Sequence, residues 1–176
     1  MTATTFIHTS DFQLGMTRWF LKGEAQGRFN DDREAAIMRL GELAKDTGAE
    51  FIVVAGDVFE HNALSREILA RATEMFKRLP VPVYVLPGNH DPLVADSVFY
   101  KASADNVHVI ADSEPIEVAP GVELVGAPYL SKRANHDLVR QALEPLEPAA
   151  GIRIAVGHGQ VDSRSGEDDA DTIDLA

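Results

Sequence analysis

Four polar clusters, each directly after an apolar run, hold the residues best suited to chemistry. Asp11 and Gln13 follow Phe6 and Ile7. Asp57 follows "FIVVAG". Asn89, His90 and Asp91 follow "VYVLPG", and His158 follows "IAVG". A lone Gly-Asp after a strand is usually a turn, and a lone strand-end histidine is usually structural. Four such clusters in succession describe a site, because open α/β sheets collect ligands beyond the carboxyl ends of their strands. Glycines before Asp57, Asn89 and His158 let the chain turn sharply there.

The residue types suit phosphoryl transfer. Two divalent ions roughly 3.5–4 Å apart can clamp the attacking and leaving oxygens of such a reaction. The pair needs an anion between the ions, and Asp57 is the natural bridge. Asp11 would serve one ion, with Gln13 beside it; Asn89 and His158 would serve the other. Mixed oxygen and imidazole ligands suit manganese, iron or zinc better than calcium, and a glutamine oxygen tilts the choice toward manganese or magnesium. His90 would face the substrate and protonate the leaving oxygen or stabilise its charge. Asp91 would orient His90 as acids orient other catalytic histidines.

Strands and helices must position these clusters. Strand-like runs are "TTFIHTS", 51–57, 81–91, 107–110, 122–128 and 152–159. Most are short, β-branched and continuous, as buried strands are. A helical pattern runs from Asp31 to Thr47, with Asp31 and Glu34 placed as a capping box and Gly48 as its stop. A second helix starts near Ser65 and stops at Pro80. A third covers Asn135 to Leu143. The order β-α-β-α-β predicts an α/β sheet with covering helices, and 107–128 reads as hairpins added to it. Near the end, Asp171 and "TIDLA" resemble a helix start. Five acids against one arginine in 163–176 suit a solvated loop. The chain is expected to be the N-terminal part of a longer protein, with residues 1–176 forming one domain.

Composition narrows the function. The 176 residues suit one domain, and no run approaches the roughly 20 apolar residues of a membrane span. The start lacks the basic and apolar regions of a signal peptide. Without cysteine there are neither disulfides nor thiolate ligands, which fits a cytoplasmic location. The formal net charge of -12 repels a nucleic-acid backbone, so any such contact needs a local basic patch, bound metal or a partner.

The motifs "DFQ", "GDVFE", "GNHD" and "VGHG" resemble those of the calcineurin-like metallophosphoesterase superfamily. "FIHTSDFQLG" and "GDVFEHNALSREIL" are similar to its SbcD-like DNA repair exonuclease branch. The resemblance covers nearly the whole chain. It implies a four-layer α/β/β/α sandwich with two mixed sheets, C-terminally incomplete here. It implies manganese-dependent hydrolysis of DNA and a coiled-coil, SbcC-like ATPase partner held by segments outside this chain; a homodimer is compatible. Asp11, Asp57, Asn89, His90 and His158 match the family's first-metal aspartate, bridging aspartate, second-site asparagine, catalytic histidine and second-site histidine. Gln13 stands where the family has histidine. "GHGQ" reads as the penultimate motif, and the final G-H-x-H is absent.

Other residues carry weaker expectations. His8 shares a strand face with Phe6 and is assigned to the core or the site's surroundings. Glu60 is placed beside the site and His61 on a surface loop. The stretch 16–29 sets Arg18, Lys22 and Arg28 around Trp19 and Phe20. It either grips single strands by charge and stacking or packs on the domain as an insertion. Three functions fit the whole: an SbcD-like nuclease, a small-molecule phosphodiesterase or phosphatase, and a degenerate domain that binds DNA or an ATPase without cutting.

Overall fold

The computed structural model describes residues 3–102, 104–161 and 172–174. Strand β1 (Phe6–Thr9) leads through a long loop to helix α1 (Ala25–Thr47) and strand β2 (Phe51–Ala55). Helix α2 (Arg66–Lys77) and strand β3 (Val83–Leu86) follow. A 3₁₀ turn at Val98–Tyr100 leads to β4 (Val107–Val109). The second half contributes β5 (Ile116–Ala119), β6 (Val122–Gly126), α3 (Leu138–Leu143) and β7 (Ile152–Val156).

The strands form two sheets, β1-β2-β3-β4 and β5-β6-β7. Side chains on a strand alternate between faces, so β2 serves two cores at once. Ile52 and Val54 pack with Ile37 and Ala44 of α1 and with Ala72, Met75 and Phe76 of α2. Phe51, Val53 and Ala55 point the other way, into a core shared with Leu124 and Val156 of the second sheet. Ala142 of α3 closes over Val125 and Ala127. The layers are therefore helix, sheet, sheet, helix. Burial on both faces is why β2 and β3 read as unbroken apolar runs.

Several expectations change. The first sheet is parallel throughout rather than mixed, because each of its strands returns by a crossover. Only the second sheet mixes directions, with β5–β6 antiparallel and β6–β7 parallel. Accordingly β5–β6 is the expected hairpin, whereas 107–109 joins the first sheet beside β3. Helix α1 starts six residues before Asp31. Asp31 and Glu34 do not cap it; they share a face and pair with Arg71 of α2 at 3.2 and 3.0 Å. Gly48 ends α1 as expected, with φ 67°, and Ser65 caps α2 by accepting the Ile68 N–H at 3.3 Å. Helix α3 starts after Asp137, which caps it, rather than at Asn135. His8 is exposed rather than core, because β1 is an edge strand. Ile173 forms a parallel bridge with Val161 instead of opening a helix, and the acidic residues 162–171 lie outside the described residues.

Candidate metal centre

The loops after β1, β2, β3 and β7 meet at one edge of the two sheets. Backbone bonds extend the β1–β2 pairing past the strands: Asp11, Gln13 and Leu14 donate to the carbonyls of Gly56, Asp57 and Val58 at 3.1, 2.9 and 2.9 Å. Within this ladder Asp11, Gln13 and Asp57 adopt left-handed backbone conformations, with φ of 57°, 44° and 54°. Side-chain-bearing residues enter that region at a cost of about 1–3 kcal/mol each, and such strain concentrates at functional sites.

Asp57 is buried at the centre. Its Oδ1 accepts the His90 backbone N–H at 3.0 Å, and its Oδ2 lies 3.4 Å from His158 Nε2. Asn89 Oδ1 is 3.1 Å from the same His158 nitrogen. His158 is fixed from behind, its Nδ1 on the Ala55 carbonyl at 2.8 Å. That bond leaves Nε2 to face Asp57 and Asn89. A metal-ligating histidine is held the same way, by a hydrogen bond from its other nitrogen. Two glycines permit the approach. A Cβ on Gly56 would stand 2.3 Å from the His158 ring, and one on Gly88 would stand 2.2 Å from Asp57 Oδ1.

The pair is electrostatically matched. Burial works to raise the Asp57 pKa, but the His158 side chain, the His90 N–H and the two histidine charges hold it below its ordinary value. Burial works to lower the His158 pKa, but Asp57, the Ala55 carbonyl and the more distant Asp11 hold it above its ordinary value. Asp11 is exposed, accepts from Ser10 Oγ, and acts on His158 through its charge.

The donor set fits a divalent cation. Ligand atoms about 2.1 Å from a common ion sit roughly 3 Å from one another, and Asp57 Oδ2 and Asn89 Oδ1 lie near that distance from His158 Nε2. Among the described residues no three His, Asp or Glu side chains converge, so the Asn89 amide is needed to complete this trio. Gln13 is tied in by its backbone; its carbonyl accepts from Arg33 at 2.7 Å.

His90 stands beside this trio. Its Nδ1 lies 3.2 Å from the Glu60 carbonyl and 3.9 Å from Glu60 Oε1; its Nε2 is 4.0 Å from Asp57 Oδ2. Glu60 is therefore the neighbour that orients His90, and its Oε2 is buried without a hydrogen bond. Asp91 does something else. It is fully buried, and its oxygens accept the backbone N–H groups of Phe59 and Gly88, both at 2.8 Å. Successive side chains diverge along the loop, so proximity in sequence to His90 does not bring the Asp91 carboxylate to the ring. Asp91 instead joins the Asp57 loop to the Asn89 loop.

Two further residues give little sequence signal. Arg33 binds the Gln13 carbonyl and stacks over Phe29, 4.5 Å from the ring centre. Its spacing of four from Phe29 on α1 is the one clue. Asn62 donates to the Pro92 carbonyl at 2.9 Å and accepts the Val98 N–H at 2.9 Å, bracing the loop that carries His90. Arg18, Trp19 and Lys22 lie on a turn before α1.

Comparison with known proteins is consistent with this geometry. The profile described as calcineurin-like phosphoesterase matches residues 4–175. The DNA double-strand break repair protein Mre11 of Archaeoglobus fulgidus is 31% identical over 98 residues, 54% of this chain and 21% of that protein. The uncharacterized metallophosphoesterase YhaO of Bacillus subtilis is 25% identical over 178 residues, 96% of this chain and 43% of that protein. The chain thus spans less than half the length of these curated relatives. A solved crystal structure shares the fold, with a TM-score of 0.50 and 15% identity, over 93% of this chain and 73% of that one.

Proposed function

This chain belongs to the calcineurin-like phosphoesterase family of hydrolases, and we propose that it cleaves phosphodiester bonds of DNA with manganese as its favoured metal. The observation that carries the proposal is the convergence of Asp57, Asn89 and His158 with the His90 ring alongside. The partial likeness to Mre11, a DNA repair protein, supports DNA over other phosphodiesters.

Asp57, Asn89 and His158 would hold one divalent ion, and Asp11 would approach a second from the exposed side. The metal, when bound, supplies Lewis-acid polarisation of the phosphoryl group. The chain's own residues do the rest. The Ala55 carbonyl fixes the tautomer and direction of His158. The Glu60 carbonyl holds the proton on His90 Nδ1, which leaves Nε2 to carry the proton delivered to the leaving oxygen. An imidazolium there would be flanked by Asp57 and Glu60. Asp91 keeps the two loops in register. The proposal extends to an SbcC-like ATPase partner engaged by regions outside this chain.

The test compares manganese-dependent hydrolysis of end-labelled DNA with that of a small diester such as bis(p-nitrophenyl) phosphate. DNA cleavage should fall about 100-fold or more in His90→Ala, within the range for loss of a general acid. An unchanged rate would remove His90 from the mechanism. The net charge of -12 favours a second reading, a small-molecule phosphodiesterase. Turnover of the small diester alone would establish that reading, and no turnover of either with metal bound would overturn both. Among the described residues no helix is long and apolar enough to cross a membrane.

A further inference from the structure

Trp19 is 93% exposed and Phe20 is 58% exposed. Their rings meet edge to face at 5.8 Å. An insertion whose aromatics pack on the domain would bury them, so that alternative fails. The turn that presents them is nonetheless built. The Leu21 N–H donates to the Arg18 carbonyl at 2.9 Å, which puts Trp19 and Phe20 at the two corners of a β-turn. Gln26 of α1 holds its base: Oε1 accepts the Arg18 N–H at 2.9 Å, and Nε2 donates to the Met16 carbonyl at 3.2 Å. The same Nε2 reaches Asn30 Oδ1 at 2.9 Å. An exposed indole is costly to display, and here a hydrogen-bonded turn displays it.

Charge points to the occupant. Residues 16–29 carry Arg18, Lys22 and Arg28 against Glu24, three minus one or +2, in a chain of net charge -12. Glu24 engages Arg28 at 3.7 Å, with both side chains largely exposed. The cations continue toward the candidate centre. Arg33 binds the Gln13 carbonyl, and burial followed by the nearby Arg18 charge lowers the Arg33 pKa. Flat aromatic faces flanked by cations suit an unpaired nucleobase and its phosphates. A base pair inside a duplex offers no free face to such a turn.

We propose that the Arg18–Lys22 turn is a stacking platform for single-stranded DNA, placed to lead the strand toward the Asp57–His158 centre. The choice of DNA rests on the functional reading above; the platform itself does not depend on metal.

Trp19 is the only tryptophan of the chain, so it reports its own contact. Titration with a short oligothymidylate in EDTA should quench its fluorescence saturably. Affinity should fall with salt at a log–log slope of about -1.4, as expected for two phosphate contacts, from Arg18 and Lys22, on a single strand. By anisotropy of a labelled oligonucleotide, Trp19→Ala should bind about 10-fold more weakly, and Trp19→Phe should keep most of the affinity. Because Trp19 touches little of the domain, neither change should disturb folding, which circular dichroism would verify. Unquenched fluorescence, or Trp19→Ala binding as tightly as the wild type, would overturn the proposal. So would concentration-dependent dimers that bury Trp19 without DNA, which would assign the turn to an interface between copies. Failure of manganese-dependent cleavage alongside intact binding in EDTA would sink the nuclease reading and leave the platform standing.

Discussion

Replacement of Asp91 by asparagine isolates a group that holds two loops together and has no solvent of its own. Its side chain is fully buried, with the Phe59 and Gly88 N–H groups on its two oxygens at 2.8 Å each. Burial dominates, and despite those two bonds it pushes the carboxyl from 3.8 up to about 6, with the Asp57 charge adding to the rise. A folded pKa above the unfolded one makes the contribution complete below the unfolded value. It is lost as pH rises through the folded value. The full loss is about 3 kcal/mol, of which about 2 kcal/mol falls between pH 4.5 and pH 7.5. Asp91→Asn abolishes that titration. It also turns an amide NH₂ toward one of the backbone N–H groups, orphaning a buried donor at a cost of about 1–3 kcal/mol. The variant should therefore trail the wild type in acid, and the gap should close by about 2 kcal/mol near neutrality. Urea unfolding in EDTA, followed by far-ultraviolet circular dichroism, measures this; Trp19 is too exposed to report folding. A gap that widens with rising pH would refute the reasoning, because it would mean that the two N–H bonds outweigh burial and depress the carboxyl instead.

Two other substitutions probe the same edge of the sheets. Gly88→Ala puts a Cβ 2.2 Å from Asp57 Oδ1 and 2.4 Å from the Asp57 nitrogen, where backbone cannot give way. It should cost about 1–3 kcal/mol in urea unfolding and abolish manganese binding by calorimetry; normal binding would show that Asp57 is not a ligand. Gln13→His should raise manganese affinity, because an imidazole replaces a neutral amide oxygen and histidine tolerates the φ of 44°. An unchanged binding isotherm would show that the residue 13 side chain faces away from the metal.

The legible parts of this molecule are those where one local signal had one physical cause. Strands β2 and β3 are unbroken apolar runs because both of their faces are covered, by α1 and α2 on one side and by the second sheet on the other. Gly48 stops α1 through a left-handed backbone, and Ser65 starts α2 through a hydroxyl that accepts the Ile68 N–H. The sequence misleads where one pattern serves two purposes. An acid followed three residues later by glutamate marks a capping box, but the same spacing puts both acids on one helical face, and Arg71 takes them. The start of α1 was hidden because residues 25–30 carry no apolar stripe; Gln26 anchors the preceding turn with its amide instead. Strand β4 is three residues long, too short to declare its partner, and the return of the chain alone places it beside β3.

That Asp57, Asn89 and His158 would meet was legible, while the arrangement among them was not, and the difference lies in the backbone. Asp11, Gln13 and Asp57 stand in left-handed conformations that glycine would adopt without strain. Glycine at 57 would relieve φ but remove the carboxylate that faces His158 and His90. The fold keeps the side chain and offsets the strain elsewhere. The β1–β2 ladder runs on through these residues, Arg33 binds the Gln13 carbonyl, and Asp91 links Phe59 to Gly88. None of these three supports uses the side chain of Asp57, Asn89 or His158. Together with the Ala55 carbonyl behind His158, they set Asp57, Asn89 and His158 near the spacing that ligands of one ion require.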